Sequence, residues 1–178
     1  NSSIWIGDHL FFRGDIQNVA DIAIQHNVTG SGTFKIMSTG ANGAGQYRYF
    51  GDNTMANSGQ IVVDNARFGV YSQANLGVNA PSVTVLDGGQ LGIGASTTLA
   101  NNMTLSGTGW REMDGSRLGA IHMNTNWNGA GTAGNVTLTG AITLNGTPQI
   151  SVWDGGDMTI SGVIGGSGQL EKAGVRTL

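Results

Sequence analysis

Apolar and polar residues alternate in short runs along most of the chain, as in Val83-Thr84-Val85, Met103-Thr104-Leu105 and Val136-Thr137-Leu138. A period of two sends successive side chains to opposite faces of an extended backbone, so each run predicts a short strand with one buried face. Strands are expected at 3–6, 22–25, 33–37, 60–63, 83–86, 90–93, 102–105, 135–138, 141–144, 149–152 and 158–160. They are bounded by Gly30-Ser31-Gly32, Asp87-Gly88-Gly89, Asn145-Gly146 and Asp154-Gly155-Gly156, residue types that accept positive φ or close an Asx turn. Helical periodicity is confined to a short turn near 18–22.

Two phrases recur. Val83-Thr84-Val85-Leu86-Asp87-Gly88-Gly89-Gln90-Leu91 matches Ile150-Ser151-Val152-Trp153-Asp154-Gly155-Gly156-Asp157-Met158 in its order of apolar, polar and turn residues. Asn102-Met103-Thr104-Leu105-Ser106-Gly107 is repeated as Asn135-Val136-Thr137-Leu138-Thr139-Gly140 and as Asp157-Met158-Thr159-Ile160-Ser161-Gly162. Such repetition predicts stacked coils, because a set of short strands cannot bury its apolar face alone. Thr137 and Thr159 are 22 residues apart and Thr104 and Thr137 are 33 apart, so some coils should carry inserted loops. A coil of that shorter length gives roughly eight coils and, at ~4.8 Å each, a rod about 40 Å long. The competing fold is an antiparallel sandwich, with hairpins through Asp87-Gly88-Gly89 and Asn145-Gly146.

Composition supports strands and tight turns. The 178 residues include 31 Gly and only 2 Pro, and 11% are charged. Hydrophobic residues make up 39% and the net charge is only −3, which opposes disorder. The eight basic residues are scattered, leaving no electrostatic footprint for nucleic acid. Without cysteine, disulfides and thiolate metal sites are excluded. No apolar run is long enough to span a membrane as a helix. The absence of an initial Met and the ending inside a repeat phrase at Leu178 lead us to expect a piece of a longer polypeptide.

The stretch Met158-Thr159-Ile160-Ser161-Gly162-Val163-Ile164-Gly165-Gly166-Ser167-Gly168-Gln169-Leu170-Glu171-Lys172-Ala173-Gly174-Val175-Arg176-Thr177-Leu178 resembles the autotransporter-associated β-strand repeat of type V secretion passengers. Upstream, Gln60 to Phe68, Ala74-Asn75-Leu76-Gly77, Val83-Thr84-Val85 and Thr98 to Leu105 resemble the same family's order of strands, so the resemblance covers about 59–178. It implies an all-β, right-handed parallel β-helix with Gly/Asn/Asp turns and a few loop excursions. It also implies an adhesive or structural stalk outside a Gram-negative cell, secreted or held at the outer membrane by a C-terminal barrel beyond this segment. Residues 1–58 match poorly and are read as divergent rungs or a cap. Partners would be a host-cell or surface glycan or protein, or further copies of the chain, with no membrane insertion of this segment and no cofactor. The expected interior contains Val83, Val85, Leu91, Leu105, Val136, Leu138, Ile142, Leu144, Ile150, Val152, Ile160 and Leu170. Alternative functions are a β-helical polysaccharide-active enzyme or spike, and a secreted filament.

Candidate chemistry is sparse, and no catalytic, cofactor-binding or metal-binding residue is assigned. Arg13-Gly14-Asp15 is the tripeptide that integrin-binding proteins present on a loop, and chance accounts for it more readily. Asp8, His9, Asp21 and His26 lack the spacing of a hydrolytic triad with Ser2, Ser3 or Ser31. Asp154-Gly155-Gly156-Asp157 reads as a tight turn. The excursion from Gly107 to Gly134 concentrates Trp110, Arg111, Glu112, Arg117, His122 and Trp127. Trp110, Arg111, Arg117, His122 and Trp127 are therefore the candidate ligand-binding residues; otherwise the tryptophans cover the coil and 118–123 is a plain strand. Asn1, Asn27, Asn102, Asn135 and Asn145 begin glycosylation sequons, but Asn135 and Asn145 are expected in turn ladders between rungs.

Overall fold

Strands follow one another in threes except where a 3₁₀ turn replaces one of them, and each set stacks on the next. The computed structural model describes residues 3–6, 9–13, 22–24, 27–40, 46–49, 55–57, 59–124 and 134–178, with side chains at 28–40, 59–124 and 134–178. The first tier holds β1 (Ser3–Ile6), β2 (His9–Arg13) and β3 (Ile22–Ile24); the second holds β4 (Asn27–Gly30), β5 (Thr33–Met37) and β6 (Gln46–Tyr49). The third holds β7 (Met55–Asn57), β8 (Gln60–Asp64) and β9 (Arg67–Val70). In the fourth a single 3₁₀ turn, Gln73–Leu76, precedes β10 (Ser82–Val85) and β11 (Gln90–Ile93). The fifth holds β12 (Thr97–Leu99), β13 (Met103–Ser106) and β14 (Ile121–Asn124). The sixth holds β15 (Val136–Leu138), β16 (Ile142–Asn145) and β17 (Gln149–Asp154), and the seventh β18 (Met158–Ile160), β19 (Ile164–Gly166) and β20 (Glu171–Ala173).

Second strands of the tiers form a seven-stranded sheet in the order β2-β5-β8-β10-β13-β16-β19, and third strands form another, β3-β6-β9-β11-β14-β17-β20. First strands make two smaller sheets, β1-β4-β7 and β12-β15-β18, and the 3₁₀ turn packs between β7 and β12. All strand pairings among the described residues are parallel. The chain is thus all-β with parallel sheets, consistent with a β-helix-like fold. The hairpins required by a sandwich do not form, because Asp87-Gly88-Gly89 joins β10 to β11, and these strands lie in different sheets. Asn145-Gly146 likewise separates β16 from β17. The ladders also continue across residue 58, where β5 pairs with β8 and β6 with β9.

Inward side chains stack in columns. Phe34, Ile61, Val83, Met103 and Ile142 align on one face, and Phe68, Leu91, Ile121 and Ile150 on another. All nine are buried, and the Phe34 and Phe68 rings meet across the interior at 6.0 Å. Ten of the twelve residues expected in the interior are buried. Ile160 and Leu170, in the last described tier, are only partly so. That tier also carries Val163 and Val175, each 77% exposed.

The structure corrects two expectations. The described residues form seven tiers rather than roughly eight, since the steps between paired residues vary: 22 from Ile142 to Ile164, 27 from Phe34 to Ile61 and 39 from Met103 to Ile142. The recurrent phrases are also not all equivalent in position. Thr137 and Thr159 pair in one sheet, whereas Thr104 lies in another, between Thr84 and Thr143. The two Asp-Gly-Gly phrases similarly occupy different corners, β10 to β11 and β17 to β18. Every face needs alternation and every corner needs a tight turn, so the same words suit more than one place in a tier.

Corners are set by backbone geometry and asparagine ladders. Asn65, Gly107 and Gly146 stand two residues past the aligned Val63, Leu105 and Leu144, at φ 47°, 69° and 71°, a left-handed region costly to most side chains. Elsewhere close stacking excludes a side chain: a Cβ on Gly162 would fall on the carbonyl oxygen of Gly140. Asn135 Oδ1 accepts from Asp157 N at 3.0 Å, and Asp157 Oδ1 accepts from Thr177 N at 3.0 Å. Asn145 Nδ2 donates to Ser106 Oγ. These are the turn ladders expected of Asn135 and Asn145.

Candidate functional site

Polar residues are buried on the outside of one sheet. In β9, β11, β14 and β17, alternate positions turn inward as Phe68, Leu91, Ile121 and Ile150, so Arg67, Gln90, His122 and Ser151 face outward. All four are nevertheless buried. The segment 107–119 lies over them. It is closed at its tip by a turn in which Glu112 N donates to Ser116 O and Gly115 N to Glu112 O, and Arg111 and Arg117 form an antiparallel bridge.

Arg67 is the centre of the contact. Its Nε donates to Gln90 Oε1 at 2.6 Å, its Nη2 pairs with the Glu112 carboxylate, and its guanidinium carbon sits 4.2 Å from the centre of the Trp110 ring. Gln90 Nε2 continues the network to the Gly119 carbonyl at 2.9 Å. A guanidinium packed on an indole and hydrogen-bonded at its edge meets both its apolar and polar requirements. The excursion is thereby pinned to β9, a strand 43 residues before Trp110.

His122 and Ser151 lie side by side, with Nδ1 and Oγ 2.8 Å apart. The Ser151 hydroxyl also donates to the Leu118 carbonyl. Since a hydroxyl has one proton, His122 Nδ1–H then donates to Oγ and is not placed to remove a proton from Ser151. Burial, then the Arg67 guanidinium, pushes the imidazole pKa down to about 3. The pair is arranged as a neutral hydrogen bond between adjacent strands, not as an activated nucleophile.

Beside this covered patch is an open groove of about 370 Å³, lined by Leu118, His122, Asn124, Trp153 and Asp154. It owes its shape to a β-bulge. Met123 pairs with Val152 and Asn124 with Asp154, leaving Trp153 as the extra residue of β17. Bulges redirect side chains, and Trp153 is 44% exposed.

Of the candidates singled out by the sequence, Trp110 is 2% exposed, a covering ring rather than one presented to a ligand. Arg111 and Arg117 are exposed on the excursion, and Arg117 Nη1 donates to Gly109 O. His122 lines the groove, in the strand Ile121–Asn124 rather than 118–123. Trp127 lies outside the described residues, as do Gly14, Asp15, Ser2, Asp8, Asp21, His26 and residues 18–21 of the turn expected near 18–22, whose Ile22 begins β3; Arg13 and His9 belong to β2. Sequence reasoning missed Arg67, Gln90, Ser151 and Trp153. The first three reach their partners only through strand stacking, whereas Trp153 had a signal: an apolar residue continuing past the inward Val152 up to Asp154-Gly155. Among the described residues, no three His, Asp or Glu side chains gather as a metal cluster. No family model, curated protein or solved structure matches this chain.

Proposed function

We propose that the chain is a right-handed parallel β-helix acting as an extracellular scaffold, a stalk segment that holds a binding or self-association surface away from a bacterial cell. The observation that carries this reading is the pair of seven-stranded parallel sheets with continuous inward columns. Each tier closes the apolar face of the last, so length grows by adding tiers while the cross-section stays constant. Right-handedness follows from the twist of strands joined by parallel crossovers, which favours that hand in about 98% of cases. The resemblance of 59–178 to autotransporter repeats supplies the cellular setting.

The test is immunogold labelling of intact source cells with antibody raised against this chain. Labelling at the surface that is removed by external protease supports the stalk. Label that appears only after permeabilisation overturns it, and a crystal structure fixes the hand independently.

A further inference from the structure

We propose that the groove at the Trp153 bulge binds a pyranose ring of a neutral glycan. The observation is the conjunction of an exposed indole, a carboxylate and an amide around one concavity on an otherwise regular sheet. A pyranose has a C–H-rich face and a rim of hydroxyls. Trp153 offers an apolar ring for that face, with Leu118 as an apolar wall, while Asp154 and Asn124 offer acceptors and a donor for the rim. The volume of about 370 Å³ falls at the lower end of the range of about 300–1,000 Å³ for small-molecule sites, suiting one or two sugar rings.

The bulge creates the arrangement. Had β17 kept register with β14, Trp153 would pair with Asn124; instead Asp154 takes that position and Trp153 is extruded beside it. Asp154 Oδ1 accepts from Gly155 N at 2.7 Å, which helps orient the carboxylate. Among the described residues the groove is lined by one carboxylate and by no Lys or Arg, so neutral sugars are preferred and acidic sugars repelled. Trp110, one of the ligand-binding candidates of the sequence, is not among the lining residues and is buried against Arg67.

This inference deepens the scaffold reading and rests on it for the exposure of the groove to glycans outside the cell. Binding itself is a property of the folded chain, so its failure leaves the stalk untouched, and failure of surface labelling leaves binding untouched. The experiment is titration of the ¹⁵N-labelled chain with lactose, cellobiose, N,N′-diacetylchitobiose and sialyllactose, following by NMR the backbone amide resonances of Leu118, Asn124 and Asp154 in parent and variants, and in the parent the Trp153 indole N–H as well. At least one neutral probe is expected to saturate with Kd on the order of 1 mM, sialyllactose to bind more weakly than lactose, and Trp153→Ala to weaken binding at least about tenfold. Retained far-UV circular dichroism and melting temperature qualify the variant. Should the alanine variant lose its fold, Trp153→Leu is read in its place, because Leu86 stands before Asp87-Gly88 in the matching phrase. The proposal is overturned if no neutral probe moves the indole resonance at about 50 mM, if the folded variant binds as tightly as the parent, or if sialyllactose binds better than lactose.

Discussion

The two seven-stranded sheets are alike inside and different outside. Both are parallel, and both send an apolar column inward. On the outer face of the first, Thr84, Thr104 and Thr143 stand in line, partly or fully exposed. The second instead carries Arg67, Gln90, His122 and Ser151, all buried beneath 107–119. The repeated strands account for the common core, and a single excursion accounts for the difference. Local chemistry in such a stack is created where its regularity is interrupted.

Substitutions inside the two sheets should be equally damaging. Leu105→Ala and Ile121→Ala each remove a fully buried aliphatic side chain and are expected to cost about 2–5 kcal/mol, measured by urea unfolding. A much smaller loss at either site would show that its column relaxes around the cavity and that the interiors are not alike.

Acid should act on the covered face. His122 is held down to about 3 in the folded chain, with Arg67 in β9, Ser151 in β17 and the Leu118 carbonyl around it. In the unfolded chain the imidazole returns to about 6.5, so between these values the unfolded state binds the additional proton. The associated stability is fully present above pH ~6.5 and is lost as pH falls toward 3, by about 3 kcal/mol between pH 6.5 and 4. Other groups titrate in the same window, so the comparison is with His122→Gln, whose unfolding free energy should fall less over it. Equal slopes in the two proteins would remove His122 from the account.

Removing the clasp should cost less. Arg67→Ala deprives Glu112 of its partner and Gln90 and Trp110 of their packing, and because the carboxylate retains some exposure the expected loss is about 2 kcal/mol. Hydrogen exchange should increase at 109–119 more than at β16. Uniform protection would mean that the excursion is held by something else. The smallest effect is expected on the bare face, where Thr104→Val should change stability by less than about 0.5 kcal/mol.

Much of the framework was readable in the chain. The limits of β1, β5, β11 and β18 coincide with the runs of alternating residues, and β5 and β11 have turn residues in the sequence at both ends. β9, Arg67-Phe68-Gly69-Val70, escaped notice since glycine at an outward position imitates a turn. The repeated phrases revealed stacking but misaligned Thr104 with Thr137, as local preferences do not number the corners of a tier. The excursion was conspicuous for its tryptophan and charges, yet its anchor Arg67 could not be inferred: nothing in the spacing says which outward residue will lie beneath a loop 43 residues later. The bulge at Trp153 was hidden for a related reason, being a mismatch between two strands rather than a property of one.

The step from Met103 to Ile142 is 39 residues, against 22 from Ile142 to Ile164, yet both pairs lie in the same column. Seventeen additional residues have therefore been absorbed at the corners without moving a strand out of line. Closing a longer loop costs little, about 0.6 kcal/mol per doubling of its length. A lineage of such proteins can consequently gain or lose whole segments by insertion and deletion while its framework is inherited unchanged. Its novelty would accumulate in the lengths of the corners before it appeared in the composition of the strands.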